Sequence, residues 1–169
     1  MCLAVTSKGG DAGSMLVRFL LLFLCFVAPA VAQEWRHYDN ARFGYGIDIP
    51  PGFTQGGESD NGDGQAFKVA GSPTALAVWG SNLTSEFESE VTDYMDFVTN
   101  EGWAISYQVT TPQWASFSGI RGGQVLYQRM VLLCDGSSYA AFRAEYSERE
   151  IGTMNSVIDI LVGSLKGNC

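Results

Sequence analysis

Residues 34–53 read EWRHYDNARFGYGIDIPPGF. Within them, Tyr45-Gly46-Ile47-Asp48-Ile49 alternates apolar with small or polar residues, the period of a half-buried strand. Pro50-Pro51 ends it, because proline donates no ladder hydrogen bond. The stretch carries six aromatic rings if the imidazole of His37 is counted with Trp35, Tyr38, Phe43, Tyr45 and Phe53. Most of these rings are expected to seat on one core. Trp35, Arg36 and Arg42 are the members that core packing explains least, and they stand as interaction candidates because Trp and Arg concentrate binding energy at interfaces.

Before this stretch the chain changes character. Residues 19–31, FLLLFLCFVAPAV, are apolar throughout and follow Arg18. They end in Ala30-Val31-Ala32, small residues at the spacing a signal peptidase needs. The run is short for a membrane span, which needs about 20 apolar residues, and it contains Pro29. It therefore reads as a cleavable signal peptide, cut between Ala32 and Gln33. Leu24 before Cys25 argues against lipidation there. Met15 is a candidate true start. Residues 1–32 are thus taken as extension and leader, and 33–169 as one globular domain, periplasmic or secreted, with no membrane span after cleavage.

Without residues 1–32, the ten Lys and Arg fall to 8 and the 18 Asp and Glu to 17, a net charge of −9. Such a surface is repelled by phosphate backbones, so nucleic acid is a poor partner. Of four cysteines, Cys134 and Cys169 remain in the exported part, where a disulfide between them is expected.

Continuing outward, residues 52–64 read as loop. Asp60-Asn61-Gly62-Asp63-Gly64 is not a calcium loop, since Gly62 and Gly64 offer no side-chain oxygen at alternate positions. Short strands are expected at 65–69 and 75–79. Asn82-Leu83-Thr84 matches a glycosylation acceptor. Ser85-Glu86-Phe87-Glu88 has the form of a capping box opening a helix whose apolar stripe is Phe87, Val91, Tyr94, Met95 and Val98, ending at Gly102. Its outer face is acidic (Glu86, Glu88, Glu90, Asp93, Asp96, Glu101) and reads as solvated. Strands follow at 103–111, 114–120, 124–134 and 138–146, with Asp135-Gly136 as a hairpin turn. A second helix has Met154, Val157, Ile158, Leu161 and Leu165 as its stripe, closed by Gly167. Strand runs joined by short turns imply an antiparallel sheet, and two amphipathic helices must cover it, which makes an α+β domain.

Tyr38, Asn40, Arg42-Phe43-Gly44-Tyr45, Ile47, Pro50 and Phe53 together resemble the start of PsbP-like domains. Phe142, Tyr146, Ile158 and Ser164-Leu165 resemble their end. Residues 114–129 and Cys134-Asp135-Gly136 are similar to small exported bacterial proteins of unassigned function. The resemblance spans most of residues 34–166. It implies a central antiparallel sheet flanked by two main helices in an α/β/α sandwich, and a binding or assembly role for larger complexes. No catalytic residue carries over.

The residues themselves offer little chemistry. His37 is the only histidine, without Cys or Asp at zinc-ligand spacing, and reads as a surface residue in a loop. No G-x-S-x-G nucleophile elbow occurs. No cofactor motif is present. Glu145 with Glu148 or Glu150 is the acid pair a hydrolase would use. The expected function is an exported, non-catalytic binding or accessory protein of the cell envelope, with an unidentified protein partner there. An exported hydrolase using carboxylates, or a carrier holding a small ligand in an aromatic cleft, are the alternatives.

Overall fold

The computed structural model of the chain describes residues 34–169. The signal peptide, its cleavage between Ala32 and Gln33, and the question of Met15 lie outside the described residues.

The first strand pair grows from a single buried amide. β1 (Arg36–Asn40) and β2 (Tyr45–Ile49) run antiparallel, with Asn40 opposite Tyr45. Asn40 is buried, and its side chain is fully used. Oδ1 accepts from the Phe43 amide at 2.9 Å, while Nδ2 donates to the Tyr38 hydroxyl at 3.2 Å and to the Gly62 carbonyl at 3.0 Å. The turn closes on Gly44 at φ 63°, a conformation that favours glycine. His37, expected in a loop, lies within β1. Its polar sequence hid the strand.

β3 (Phe53–Glu58) corrects the reading of residues 52–64 as loop. It pairs antiparallel with β4 (Gly64–Val69) through an irregular register between Gln55 and Glu58. It is an exposed edge strand whose paired glycines, Gly56 and Gly57, erase the sequence pattern. The turn from Ser59 to Asp63 is closed by its own polar groups: Ser59 Oγ donates to Asp63 Oδ1 at 2.7 Å, and Asn61 Nδ2 donates to Asp63 Oδ2 at 2.7 Å. Arg42 Nη1 donates to the Asn61 carbonyl, and the Tyr45 hydroxyl donates to the Asp63 carbonyl at 3.1 Å. These bonds seat the β1–β2 turn on the β3–β4 hairpin.

β5 (Ala75–Asn82) follows, then α1 (Phe87–Asn100), β6 (Ala104–Thr110), β7 (Trp114–Arg121), β8 (Gln124–Leu132) and β9 (Ser138–Ser147). A 3-10 turn at Glu148–Glu150 leads into α2 (Ile151–Ser164), and β10 (Lys166–Gly167) ends the described chain. β3 to β9 form one seven-stranded antiparallel sheet in the order β3-β4-β5-β9-β8-β7-β6, while β1-β2-β10 form a second of three strands. The class is α+β, as the sequence pattern implies.

Two cap assignments change. Ser85 makes no capping bond to α1, whose N-cap is Glu86. Instead Glu90, one turn inside the helix, reaches back: its Oε1 accepts from the Thr84 hydroxyl, the Thr84 amide at 2.6 Å and the Ser85 amide at 3.2 Å. These bonds hold its carboxyl below the usual range. A capping box does occur before α2. Ser147 Oγ accepts from the Arg149 amide at 3.3 Å, and the Ser147 amide donates to Glu150 at 3.1 Å. Gly102, at φ 91°, turns the chain after α1 as expected. Gly167 does not cap α2. It belongs to β10, opposite Tyr45 of β2.

Alternate residues of β9 enter different cores. Ala140, Phe142, Ala144 and Tyr146 pack with Leu76 and Val78 of β5, with Tyr45, Ile47 and Ile49 of β2, and with Met154, Ile158 and Leu161 of α2. Tyr139 and Ala141 pack with Met130 of β8 and with Phe87 and Val91 of α1. A third cluster joins Val98 of α1 to Trp103, Phe117 and Leu126.

A disulfide joins Cys134, just past β8, to Cys169, with Cα atoms 6.1 Å apart. It ties down the segment that carries β10. Two outcomes test this architecture. Replacing both cysteines by serine is expected to lower unfolding free energy by about 3–4 kcal/mol, the chain-entropy value for such a loop. An unchanged guanidinium midpoint would show that the bond does not constrain the unfolded chain. At Gly80 in β5, an added Cβ would meet Phe43 Cγ at 2.5 Å. Gly80→Ala is therefore expected to destabilise by about 1–3 kcal/mol, by unseating the β1–β2 turn. A neutral Gly80→Ala in the same assay would refute that contact.

Candidate functional site

Two regions gather groups capable of chemistry or binding. The first is a cavity of about 440 Å³ lined by His37, Asp48, Ile160, Gly163, Ser164 and Lys166. β1 and β2 supply the imidazole and Asp48, the end of α2 supplies Ser164, and β10 supplies Lys166. His37 Nδ1 donates to Asp48 Oδ1 at 2.6 Å, and Nε2 faces Asp39 Oδ1 at 3.3 Å. Two carboxylates on one ring favour the imidazolium, so the His37 pKa is raised, first by the hydrogen bond to Asp48. The ring lies over Gly46, where a Cβ would come within 2.7 Å of Nε2.

A serine, a histidine and an aspartate thus line one cavity, but the hydrogen bonds do not form a triad. Ser164 Oγ donates to the Leu161 carbonyl at 3.3 Å and accepts from the Asp48 amide at 3.1 Å. Those bonds terminate α2 and dock it on β2. Both ring nitrogens of His37 face carboxylates, so no nitrogen is left as a base toward a hydroxyl. The acid pair suggested by sequence is equally occupied. Glu145 pairs with Arg143 Nε at 2.7 Å, and Glu150 accepts from Thr74 Oγ1 at 2.8 Å and from the Ser147 amide in the capping box of the 3-10 turn. Among the described residues, no group of three or more His, Cys, Asp or Glu converges as a metal site.

The second region is the outer end of the large sheet. Residues opposite each other in a ladder share a face. Tyr107 lies opposite Ser118, which lies opposite Tyr127, which lies opposite Ala144. In the same way Val109, Ser116, Arg129 and Phe142 form a row, as do Ile120, Val125 and Tyr146. At β9 and β8 these rows lie in the core shared with α2. Along β6 and at the Ile120 end of β7 the same face is open: Tyr107 is 48% exposed, Ile120 42% and Val109 36%, while Ser116 of β7 is buried.

A bulge brings two of these three residues, Tyr107 and Val109, to this face. Ile105 pairs with Gly119, but Tyr107 pairs with Ser118, so Ser106 is an extra residue in β6. Ile105 keeps the inner face and packs in the cluster of Trp103 and Phe117. Tyr107 and Val109 are re-aimed to the other face, as bulges near sheet edges do. In a regular strand all three would face one way.

Arg129, on β8, borders this surface. Its guanidinium stacks on the Trp114 ring at 4.2 Å, and Nη1 donates to Ser116 Oγ at 3.0 Å. Its Nε is buried and has no acceptor. Among the described residues no carboxylate lies within ion-pair distance of it. Burial lowers its pKa from the ordinary arginine value. By contrast, Arg143 on the other face has Glu101 at 3.0 Å and Glu145 at 2.7 Å.

The interaction candidates named from sequence lie elsewhere. Arg36 Nη2 donates to the Phe53 carbonyl at 2.7 Å, and Arg42 braces the turn at Asn61 while lying 5.3 Å from the centre of the Phe43 ring. Trp35 is partly buried, just before β1. The structure does not bring these three to either region. Arg129, Tyr107, Val109 and Ile120 were not singled out from the sequence. One signal was available: in QVLYQRMVLLC, alternation places Arg129 on the face of Val125, Tyr127 and Val131, where a cation is out of place.

No family model matches the chain, and no curated protein matches it. Among solved structures, it is similar to the cyanobacterial PsbP (CyanoP) of Synechocystis sp. PCC 6803, with 12% identity, a TM-score of 0.63, and 83% of this chain and 96% of that chain covered. It is also similar to the Ran-binding protein Mog1p of Saccharomyces cerevisiae, with 7% identity, a TM-score of 0.57, and 81% and 97% covered. The chain has the Mog1/PsbP-like fold, in agreement with the resemblance carried by residues 34–53 and 142–165.

The imidazolium of His37 sets a pH dependence. Its folded pKa lies above the ordinary 6.5, so its stabilising contribution is complete below 6.5 and fades as pH rises through the raised value. Thermal unfolding of the protein and of His37→Gln is expected to differ most near pH 5 and to converge by about pH 9. A difference that grows with pH would contradict the pairing.

Proposed function

We propose that this chain is an exported, non-catalytic binding or accessory domain of the cell envelope, engaging a protein partner through the open end of its large sheet. The observation that carries the reading is the uncovered face formed by Tyr107, Val109 and Ile120 beside Arg129. Exposed apolar side chains that are contiguous on a sheet, rather than scattered, mark an interaction site. The apolar run of residues 19–31 supports export, as does the Cys134–Cys169 bond, which suits an oxidising compartment. Among the described residues no helix is long and apolar enough to cross a membrane. The hydrogen bonds that occupy His37, Ser164, Glu145 and Glu150 support a role without catalysis. One structural neighbour is itself a Ran-binding protein, so the fold is compatible with work done by binding alone.

The layering belongs to the same reading. We take the domain as an α/β/α sandwich, α1 on one face of the large sheet and α2 with the small sheet on the other. The alternation of β9 between the two cores supports it. The second face is then only part covered, and the open end is its remainder.

Photo-crosslinking tests the location. A benzophenone side chain placed at Val109 in the producing cells is expected to yield a discrete adduct with another envelope protein. The same probe at Thr54, on the opposite edge strand, is expected to yield none. Equal yields at both positions, or none at Val109, would refute this surface.

A further inference from the structure

We infer that the open end of the sheet recognises a partner segment carrying one carboxylate set among apolar or aromatic side chains, with Arg129 as its anchor. This deepens the function proposed above and rests on it.

Charge complementarity carries the inference. Arg143 and Arg129 occupy the same kind of place, a central strand of the same sheet, on opposite faces. Arg143 is neutralised by Glu101 and Glu145. Arg129 has an indole ring on one side, a serine hydroxyl on Nη1, a buried Nε without acceptor, and no carboxylate among the described residues within ion-pair distance. A half-buried charge without a counter-charge is unfavourable by itself and becomes favourable when a partner supplies one. A guanidinium keeps its proton at neutral pH even where burial lowers its pKa, so the side chain remains a cation. Stacking on Trp114 fixes the plane of the guanidinium, and a fixed plane suits the two oxygens of a carboxylate.

The surroundings restrict what surrounds that carboxylate. Tyr107, Val109 and Ile120 present a ring and branched aliphatics on three adjoining rows on the β6 and β7 side of Arg129, so the partner must place apolar groups beside its acid. A polyacidic segment is excluded by the charge of this chain, −8 over the whole sequence, which repels it at long range. One acid within an apolar surface meets both conditions.

Two matched probes test the charge, 3-phenylpropionate and its neutral amide, followed by NMR of the indole N–H signals in the protein as its own cells process it. The acid is expected to bind about tenfold more tightly than the amide, as a charge-assisted pair does, with the Trp114 signal moving. Arg129→Gln is expected to abolish that preference while leaving amide binding in place, and Arg129→Lys to restore part of it. The comparison of acid with amide on the unaltered protein needs no variant and stands even where Arg129→Gln folds poorly. Equal binding of acid and amide overturns the inference, as does a preference that survives in Arg129→Gln. Adduct formation at Val109 separates the two levels. If it persists undiminished in Arg129→Gln, the surface binds but its charge selects nothing, and the inference alone fails. If it is absent in the unaltered protein, the underlying reading fails. An adduct that proves to be a second copy of this chain overturns the acidic-partner assignment.

Discussion

The seven-stranded sheet has two faces, and among the described residues two fourteen-residue helices pack against it. Strands spaced at about 4.8 Å put the outermost pair roughly 29 Å apart. A helix of that length extends only about 21 Å and is about 10 Å wide. Neither helix spans a face alone. The small sheet adds Tyr45, Ile47 and Ile49 to the core of Met154 and Ile158, and that core reaches β8 before it runs out. Beyond it, Tyr107 and Val109 of β6 and Ile120 of β7 are left to solvent. The open surface is thus a consequence of coverage rather than an ornament on a finished domain.

That shortage also explains the local conflicts. β6 carries Ile105, Tyr107 and Val109 at alternate positions, the pattern of a strand with one buried face. Only the first of them has a core to enter, and the bulge at Ser106 divides them. Gln128 shows the same tension on the opposite face. It is fully buried between the clusters around Met130 and Leu126, and its Oε1 lacks a partner, as does Trp103 Nε1. Polar atoms persist where the sheet passes from one cluster to the next.

Much of the framework was legible because it rests on local chemistry. The β8–β9 hairpin could be read from Asp135-Gly136 and the alternation on either side of it, and both helices from their apolar stripes. The disulfide partners could be read from count, since setting aside residues 1–32 leaves two cysteines. The missing pieces depend on partners distant in the chain. β1, β3 and β10 have polar or glycine-rich sequences and exist as strands because β2 and β4 offer them ladders. Ser85 looked like a cap because its own neighbours match the motif, but Glu90 supplies acceptors to the same turn. The surface beside Arg129 was harder still. Its residues come from three strands, and the bulge that gathers them leaves no mark in composition.

The pairing of β2 with β10 has a consequence for how the protein is made. The Asp48 amide donates to Ser164 Oγ, 116 residues later, and Gly46 waits for Lys166. A chain that emerges N-terminus first therefore cannot complete these strands until residues 164–167 arrive. Contacts of such long sequence separation close slowly. Until then Tyr45, Ile47 and Ile49 have only β1 and the hairpin beside it as company. The opening strands therefore stay incomplete until the segment around residues 164–167 has been made, and the Cys134–Cys169 bond then fastens that segment.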